Sequence, residues 1–394
     1  MLSDYISWPK RFKMKLLVLG FNTRALAEQA LSEGFEVVAI ESFADRDWEI
    51  FNREYPNSSE VYAIKGDYRP EKLIDKWEEI DKEVDYLIYL SDLDDYPNLL
   101  EKLELEVLGN QIETLKRLKQ NLFSFLKENK IKRPKSFFSG ADFTGLRLLK
   151  KPYLGGGGVE IREFDSQEDE IEWDKYYLQE YLPGRSCSVN FIANGNEAKI
   201  ISFNKQLVGE SRLGAKEFKY SGNILLAPNE FSANARKYLI KLINLLTQEF
   251  NLLGLNGVDF IYQDGEVYFI ELNPRYTAAM ELLSLASDYQ LLKAHYQAKD
   301  LELTSTPKLP ISSKLELAKG IVYAKDDLVV KRDFLAEFKE IKNLTVRDIP
   351  YKGEKFLAGE PLCTLLVKAA NRVEIWSEFE LAQKIIYQSL VERI

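Results

Sequence analysis

Residues 257–275 read Gly-Val-Asp-Phe-Ile-Tyr-Gln-Asp-Gly-Glu-Val-Tyr-Phe-Ile-Glu-Leu-Asn-Pro-Arg. Asp264-Gly265 lies between two apolar runs, and this dipeptide readily supplies the left-handed backbone of a tight hairpin turn. The stretch is therefore predicted to be a β-hairpin turning at Gln263–Glu266, with Asp259 opposite the region of Glu271. Strand alternation places Glu271 and Asn273 on one face. Their neighbours Val267, Phe269, Ile270 and Leu272 are apolar, so charge at this end of the hairpin needs a partner. Three converging oxygen ligands suit Mg²⁺ or Mn²⁺, and Mg²⁺ in particular is usually held by one or two carboxylates together with nucleotide phosphates. Arg275, just past Pro274, is placed to meet an anion beside the metal. An ordinary charged surface hairpin would account for a lone Asp or Glu; the ordered set Asp, Glu-x-Asn-Pro-Arg asks for more.

Upstream, Leu148-Leu-Lys-Lys-Pro-Tyr-Leu-Gly-Gly-Gly-Gly-Val-Glu-Ile161 reads as a strand, a four-glycine loop and a second strand. Gly155, Gly156, Gly157 and Gly158 together lose much backbone entropy on ordering. A loop that lays its own amides against phosphate oxygens gives a reason for that loss. It is not a Walker loop, because no Gly-Lys-Ser/Thr and no helix follow. Lys151, before Pro152, is in reach of a phosphate, although Lys150 competes for the role. Between loop and hairpin, Tyr177-Leu-Gln-Glu-Tyr-Leu-Pro-Gly184 is an apolar strand meeting a Pro-Gly turn. Gln179, Glu180, Tyr181 and Leu182 could there present backbone groups to an adenine edge and a carboxylate to ribose hydroxyls.

The N-terminal third is of another kind. Lys15–Leu19, a turn at Gly20–Thr23, a helical pattern over Arg24–Ser32, and Glu36–Ile40 form a βαβ unit with parallel strands. Tyr86–Leu90 is a further strand, closed by the acidic run Ser91–Asp95. Of the dinucleotide fingerprint's three glycines only Gly20 is present, and Glu41 alone stands near the ribose-binding position, so this domain reads as scaffold that contributes to a substrate pocket. Residues 108–134 read as a helical pair, Gln111–Lys119 and Leu122–Asn129. After residue 300 the pattern relaxes around Pro307 and Pro310. A strand-rich tail then runs from Ile321 to Val367 before a final helix.

Composition narrows the function classes. The 394 residues carry 53 Lys and Arg against 62 Asp and Glu, a formal charge of −9, which argues against nucleic acid or anionic membrane as partner. The basic run Lys130–Lys135 reads as solvated surface. One histidine, His295, and two cysteines, Cys187 and Cys363, exclude a multi-histidine metal site and a disulfide framework. All three read as structural. The apolar run Leu16–Leu19 is too short for a signal peptide or a membrane span, and residues before Met14 read as a short lead-in. The expected location is the cytoplasm.

The order Lys-Pro with a glycine loop, then Gln-Glu-Tyr-Leu-Pro-Gly, then Asp with Glu-x-Asn-Pro-Arg, resembles the ATP-grasp superfamily, over roughly residues 108–300. That resemblance implies a mixed α/β and α+β chain. Residues 1–107 would be a Rossmann-like pre-ATP-grasp domain and 108–300 the ATP-grasp domain, with a mobile lid at about 135–182. Residues 301–394 would be a small strand-rich C-terminal domain. Tyr276-Thr-Ala-Ala-Met-Glu281, Arg212–Gly222, Ile321–Ala324 and Gly359–Thr364 are similar to one subgroup, the predicted ATP-dependent carboligases, several of which are encoded near tetrahydromethanopterin or methanofuran pathway enzymes.

By that resemblance ATP and Mg²⁺ (or Mn²⁺) are the cofactors. Lys151 contacts phosphate, Glu180 and Leu182 frame adenine and ribose, Asp259, Glu271 and Asn273 hold the metal, and Arg275 stabilises the reacting phosphoryl group. Lys119 is the nearest counterpart of a second ATP-contacting lysine. Lys205, Arg212 and Tyr220 are expected to face substrate. The implied reaction joins a small-molecule carboxylate to an amine through an acyl phosphate, in a chain for which a homodimer is common among comparable enzymes. A non-catalytic ATP-binding regulator and a nicotinamide oxidoreductase are the competing readings.

Overall fold

The computed structural model describes residues 14–140, 143, 145–165, 170–287, 289–300, 315–339 and 341–394. The lead-in before Met14 and the Pro307–Pro310 stretch lie outside the described residues. The first segment alternates β1 (Lys15–Leu19), a helix over Arg24–Ser32, β2 (Glu36–Glu41), a helix over Asp47–Glu54, β3 (Ser59–Ala63), a helix over Pro70–Glu78 and β4 (Tyr86–Tyr89). Its strands pair in parallel in the order β3-β2-β1-β4. Leu16 to Leu19 are fully buried, as a parallel strand covered on both faces requires. Gly20 serves packing: a Cβ there would fall 2.8 Å from the Leu90 Cβ.

A single helix spans Ile112–Glu128 where a pair was expected. Nothing between Lys119 and Leu122 breaks it: Gln120 and Asn121 are solvent-facing residues that leave the i, i+3, i+4 apolar stripe intact. Among the described residues, the expected lid region then forms a four-stranded antiparallel sheet. It is built from β5 (Ser136–Phe137), β6 (Leu148–Pro152), β7 (Arg162–Glu163) and β8 (Tyr176–Glu180), in the order β5-β8-β6-β7.

The remaining chain supplies β9 (Arg185–Asn194), β10 (Ala198–Val208), β11 (Tyr220–Leu226), β12 (Leu253–Gln263), β13 (Glu266–Asn273) and β14 (Glu316–Tyr323). Beyond these come β15 (Leu328–Val330), β16 (Leu344–Arg347), β17 (Lys355–Phe356), β18 (Pro361–Ala369) and β19 (Val391–Arg393). Among the described residues these make an eight-stranded sheet, β13-β12-β9-β10-β11-β14-β18-β16, and a small sheet, β17-β15-β19. The tail thus does two things: β14, β16 and β18 extend the central sheet, and the rest forms the separate strand-rich piece.

The helix over Ala233–Phe250 buries Leu239, Leu242, Ile243, Leu246 and Phe250 along one face. Its first turn is capped by Ser232, whose Oγ accepts the Ala235 amide at 3.1 Å. One buried cluster runs from Leu17 and Leu87 in the parallel sheet to Val189, Val258 and Phe269 in the central one. The two sheets therefore share a core. Among the described residues no helix is long and apolar enough to cross a membrane.

Candidate active site

The hairpin forms as its turn residues dictate, with Asp264 and Gly265 both left-handed (φ 52° and 84°). Counted back from Gln263–Glu266 in regular register, Asp259 would face Ile270. A bulge after Asp259 adds one residue to β13, so Asp259 pairs with Glu271 and Gly257 with Asn273. Bulges re-aim side chains in this way. Both carboxylates and the Asn273 amide accordingly line one cleft of about 800 Å³, together with Lys151, Gly156, Gly157 and Gly158.

Burial pushes Asp259 up to about 6, against the pull of Gln206, Arg275, Asn273 and Lys151. Burial and the Asp259 charge push Glu271 up to about 8, although its side chain opens onto the cleft and Lys151 and Arg275 oppose the shift. Two carboxylates and an amide oxygen are hard donors that fit Mg²⁺ or Mn²⁺. Among the described residues no three His, Cys, Asp or Glu side chains converge on a metal position. A cation here would take its remaining ligands from phosphate or water.

The two lysines separate. Lys151 Nζ donates to Gln179 Oε1 at 3.2 Å inside the cleft. Lys150 Nζ donates to the Glu170 carbonyl at 3.2 Å and lies 4.4 Å from the Tyr176 ring centroid. The glycine loop is held close on both sides. A Cβ on Gly156 would fall 2.3 Å from Asp92 Oδ1, and one on Gly158 (φ +72°) 1.9 Å from the Phe218 carbonyl oxygen. The Gly157 carbonyl accepts the Tyr220 amide at 2.8 Å. Gln179, Glu180, Tyr181 and Leu182 line the cleft beyond Lys151. Glu180 Oε2 accepts the Lys135 amide at 3.2 Å, and the Arg147 guanidinium stacks 3.9 Å from the Tyr181 ring centroid.

Arg275 is not a free cation. Its Nε donates to Asp94 at 2.5 Å and its Nη2 to Asp92 at 2.9 Å and Asn273 at 3.1 Å. Burial works against its charge, but Asp94 and Asp92 outweigh it and hold the guanidinium firmly protonated. These acids belong to the run after β4, noted in the sequence only as a strand ending. Its position at the carboxyl end of a parallel strand is the signal that could have marked it. Burial and Asp94 push Asp95 up to about 6, against Lys119 and the Gly155 amide, which lies 3.4 Å from its carboxylate.

Other expectations are corrected. Lys119 donates to the Asp95 carbonyl and is absent from the cleft wall. Arg212 pairs with Glu210 at 2.8 Å and stacks on Trp376 outside the cleft. Alternation along β10 turns Gln206, not Lys205, into it, while Tyr220 does line it. Glu41 cannot serve a ribose, because its oxygens already accept the Thr23 amide and hydroxyl, the Ala44 amide and the Trp48 indole. His295 is structural. Its Nδ1 accepts the Leu255 amide at 2.9 Å and its Nε2 donates to the Leu108 carbonyl at 3.0 Å, and burial depresses its pKa to about 4. Cys187 and Cys363 are both buried.

Residues 117–279 match the ATP-grasp domain family. An uncharacterized protein of Methanocaldococcus jannaschii is 26% identical over 389 residues, covering 93% of this chain and 91% of its own. Among solved structures, the L-amino acid ligase of Bacillus licheniformis superposes with a TM-score of 0.69 at 16% identity, over 95% of this chain and 98% of that one. The N5-carboxyaminoimidazole ribonucleotide synthetase of Thermotoga maritima gives 0.63 at 17%, over 97% and 100%. At such identities the likeness is one of fold. Residues 117–279 thus match an ATP-grasp domain within a fold that the chain shares along nearly its whole length with these two solved structures, and its glycine loop and acidic hairpin line the same cleft.

Proposed function

We propose that the protein is an ATP- and Mg²⁺-dependent ligase that joins a carboxylate to an amine. One observation carries this: Asp259, Glu271 and Asn273 face Lys151 and the glycine loop across a single cleft. In this reading Lys151 and the loop amides bind the triphosphate, while Asp259, Glu271 and Asn273 would hold a divalent ion, which would supply charge neutralisation for phosphoryl transfer. The substrate carboxylate oxygen attacks the γ-phosphorus and ADP leaves. The amine nitrogen then attacks the acyl carbon of the acyl phosphate, inorganic phosphate leaves with the C–O electron pair, and the nitrogen loses its proton, leaving an amide. Arg275, already in the cleft, supports charge at the phosphoryl group. Exclusion of water by the glycine loop protects the acyl phosphate.

The test is substrate-dependent ADP release. Purified protein with MgATP is screened against pools of carboxylates and amines, including glutamate with tyramine or tyrosine, the pair suggested by a role in methanofuran-like cofactor assembly. ADP appearing only when both an acid and an amine are present supports the ligase. Tight ATP binding with no turnover against any pool would favour a regulator instead. The homodimer expectation is tested by light scattering on the same preparation.

A further inference from the structure

The cleft has a second end, away from the hairpin, where the first domain meets the tail of the chain. Its buried charges are almost all accounted for. Arg24 grips Asp348 through Nε at 2.9 Å and Nη2 at 3.2 Å, and also meets Glu281. Lys319 donates to Glu281 at 2.7 Å. Glu41 is satisfied by four donors, as above. Asp47, which does not line the cleft, accepts the Ile349 amide on Oδ2 at 2.8 Å; its Oδ1 accepts no hydrogen bond among the described residues and lies 3.9 Å from the Arg347 guanidinium. Asp45 is the exception. It is only 8% exposed and lines the cleft, yet among the described residues its carboxylate accepts no hydrogen bond and meets no cation. The charged groups that bear on it most are Asp348, Glu41, Asp47 and Glu354, all acidic, and with burial they push its pKa well up.

A buried carboxylate surrounded by like charge is costly unless something outside the chain completes it. The cleft lining also includes apolar Phe43, Ile321, Phe356 and Leu362, interspersed with polar Asn22 and Thr364 and the already paired Lys319 and Asp348. We propose that this end of the cleft binds a substrate through a protonated amino group, Asp45 accepting hydrogen bonds from the ammonium while these apolar side chains hold the carbon body. The inference rests on the ligase reading and names the class of one of its substrates, a primary ammonium compound with an apolar body.

Binding of benzylamine, benzyl alcohol and benzoate to the full chain, measured by calorimetry or saturation-transfer NMR, tests it. Benzylamine should bind roughly 10-fold or more tighter than benzyl alcohol, the loss expected when a charge-assisted hydrogen bond is removed. Benzoate should bind weakest. Asp45→Asn should erase the preference for the amine while leaving binding of a non-hydrolysable MgATP analogue within about twofold. Should the amide distort the loop, Asp45→Ser gives the same reading. Failure of benzylamine to bind, equal affinity for amine and alcohol, tighter benzoate, or a preference surviving in both variants would overturn the proposal. If the amine preference appears but the ATP analogue does not bind, the ligase reading falls and the ammonium site stands. If the analogue binds and no amine preference exists, the ammonium site falls alone.

Discussion

Raising the pH should tighten Mn²⁺ binding at the hairpin, by an amount that the site sets. Asp259 and Glu271 are raised to about 6 and about 8, and because they face each other these values belong to the pair. A divalent ion requires both ionised, so its binding expels protons. A group titrating at about 8 is roughly nine-tenths protonated at pH 7 and roughly one-tenth at pH 9. Binding at pH 7 therefore releases about one proton, and the apparent association constant rises about tenfold from pH 7 to 9. Below pH 7 it falls more steeply, as Asp259 joins.

Folding of the metal-free protein runs the other way. Carboxylates whose folded values lie above their unfolded ones are penalised when ionised, so stability is lost as pH climbs from about 4 through about 8. Mn²⁺ should restore most at the alkaline end. The free Mn²⁺ signal in electron paramagnetic resonance gives the affinities, and calorimetry in two buffers of different ionisation enthalpy counts the protons. Glu271→Gln removes one ligand and one like charge, so the variant should bind more weakly and keep only the pH dependence near and below about 6. An affinity flat from about pH 6.5 to 8.5 with no proton released, or a Glu271→Gln profile matching the parent, would refute the reasoning.

Lys151→Met should weaken binding of an ATP analogue by roughly 10-fold or more, as loss of a charge-assisted phosphate contact does, whereas Lys150→Met should stay within about twofold; calorimetry compares them directly. Gly158→Ala must displace Phe218 or the loop and should cost about 1–3 kcal/mol in urea melts and abolish nucleotide binding. Gly155→Ala, with open space around its Cβ, should bear only the strain of its left-handed backbone. His295→Ala leaves the Leu255 amide and Leu108 carbonyl unpaired in the core and should destabilise by about 2–4 kcal/mol in the same melts. The parent's activity should show no inflection from this histidine between about pH 6 and 8, since it stays neutral above about 4.

Local chemistry is what the sequence made legible. The helix over Arg24–Ser32 and the strand Lys15–Leu19 end where Gly20, Gly34 and the apolar runs place them. Asp264-Gly265 set the hairpin, and with it which carboxylates could meet. The register was readable only to within a residue, since the bulge after Asp259 leaves no turn signal of its own. The long helix over Ile112–Glu128 reads as two because adjacent polar residues in mid-helix, Gln120 and Asn121, resemble a loop in sequence, although solvent-facing positions of a helix carry the same residue types. Side-chain direction was hardest. Lys205 and Gln206 are adjacent, and only the pairing of β10 decides which one enters the cleft. The buried charges of Arg24, Glu281, Lys319 and Asp348 are scattered over most of the chain, and periodicity alone cannot foresee that they meet.

The same separation explains how the site holds together. Arg275 lies two residues past Asn273, yet its guanidinium is gripped by acids 181 and 183 residues away. Those acids reach it because Ser91 and Asp92 both accept left-handed backbone (φ 53° and 64°), at about 1–3 kcal/mol each for residues with a Cβ. The loop that bears this strain also presents Asp95 to the Gly155 amide and leaves room for Gly156 only because that residue has no side chain. Lys119 closes it from the long helix through the Asp95 carbonyl. Hairpin, glycine loop and helix thus converge on one short acidic turn at the carboxyl end of a parallel strand, where open α/β sheets place their ligand loops. Remove the Arg275 charge and Asp92 and Asp94 are left half-buried facing each other, with the Asp259 and Glu271 pair nearby, and the strained turn loses the contacts that hold it. Arg275 is therefore both a cation of the cleft and the tie that registers the first domain against the hairpin, so Arg275→Met should disturb the glycine loop as well as the charge.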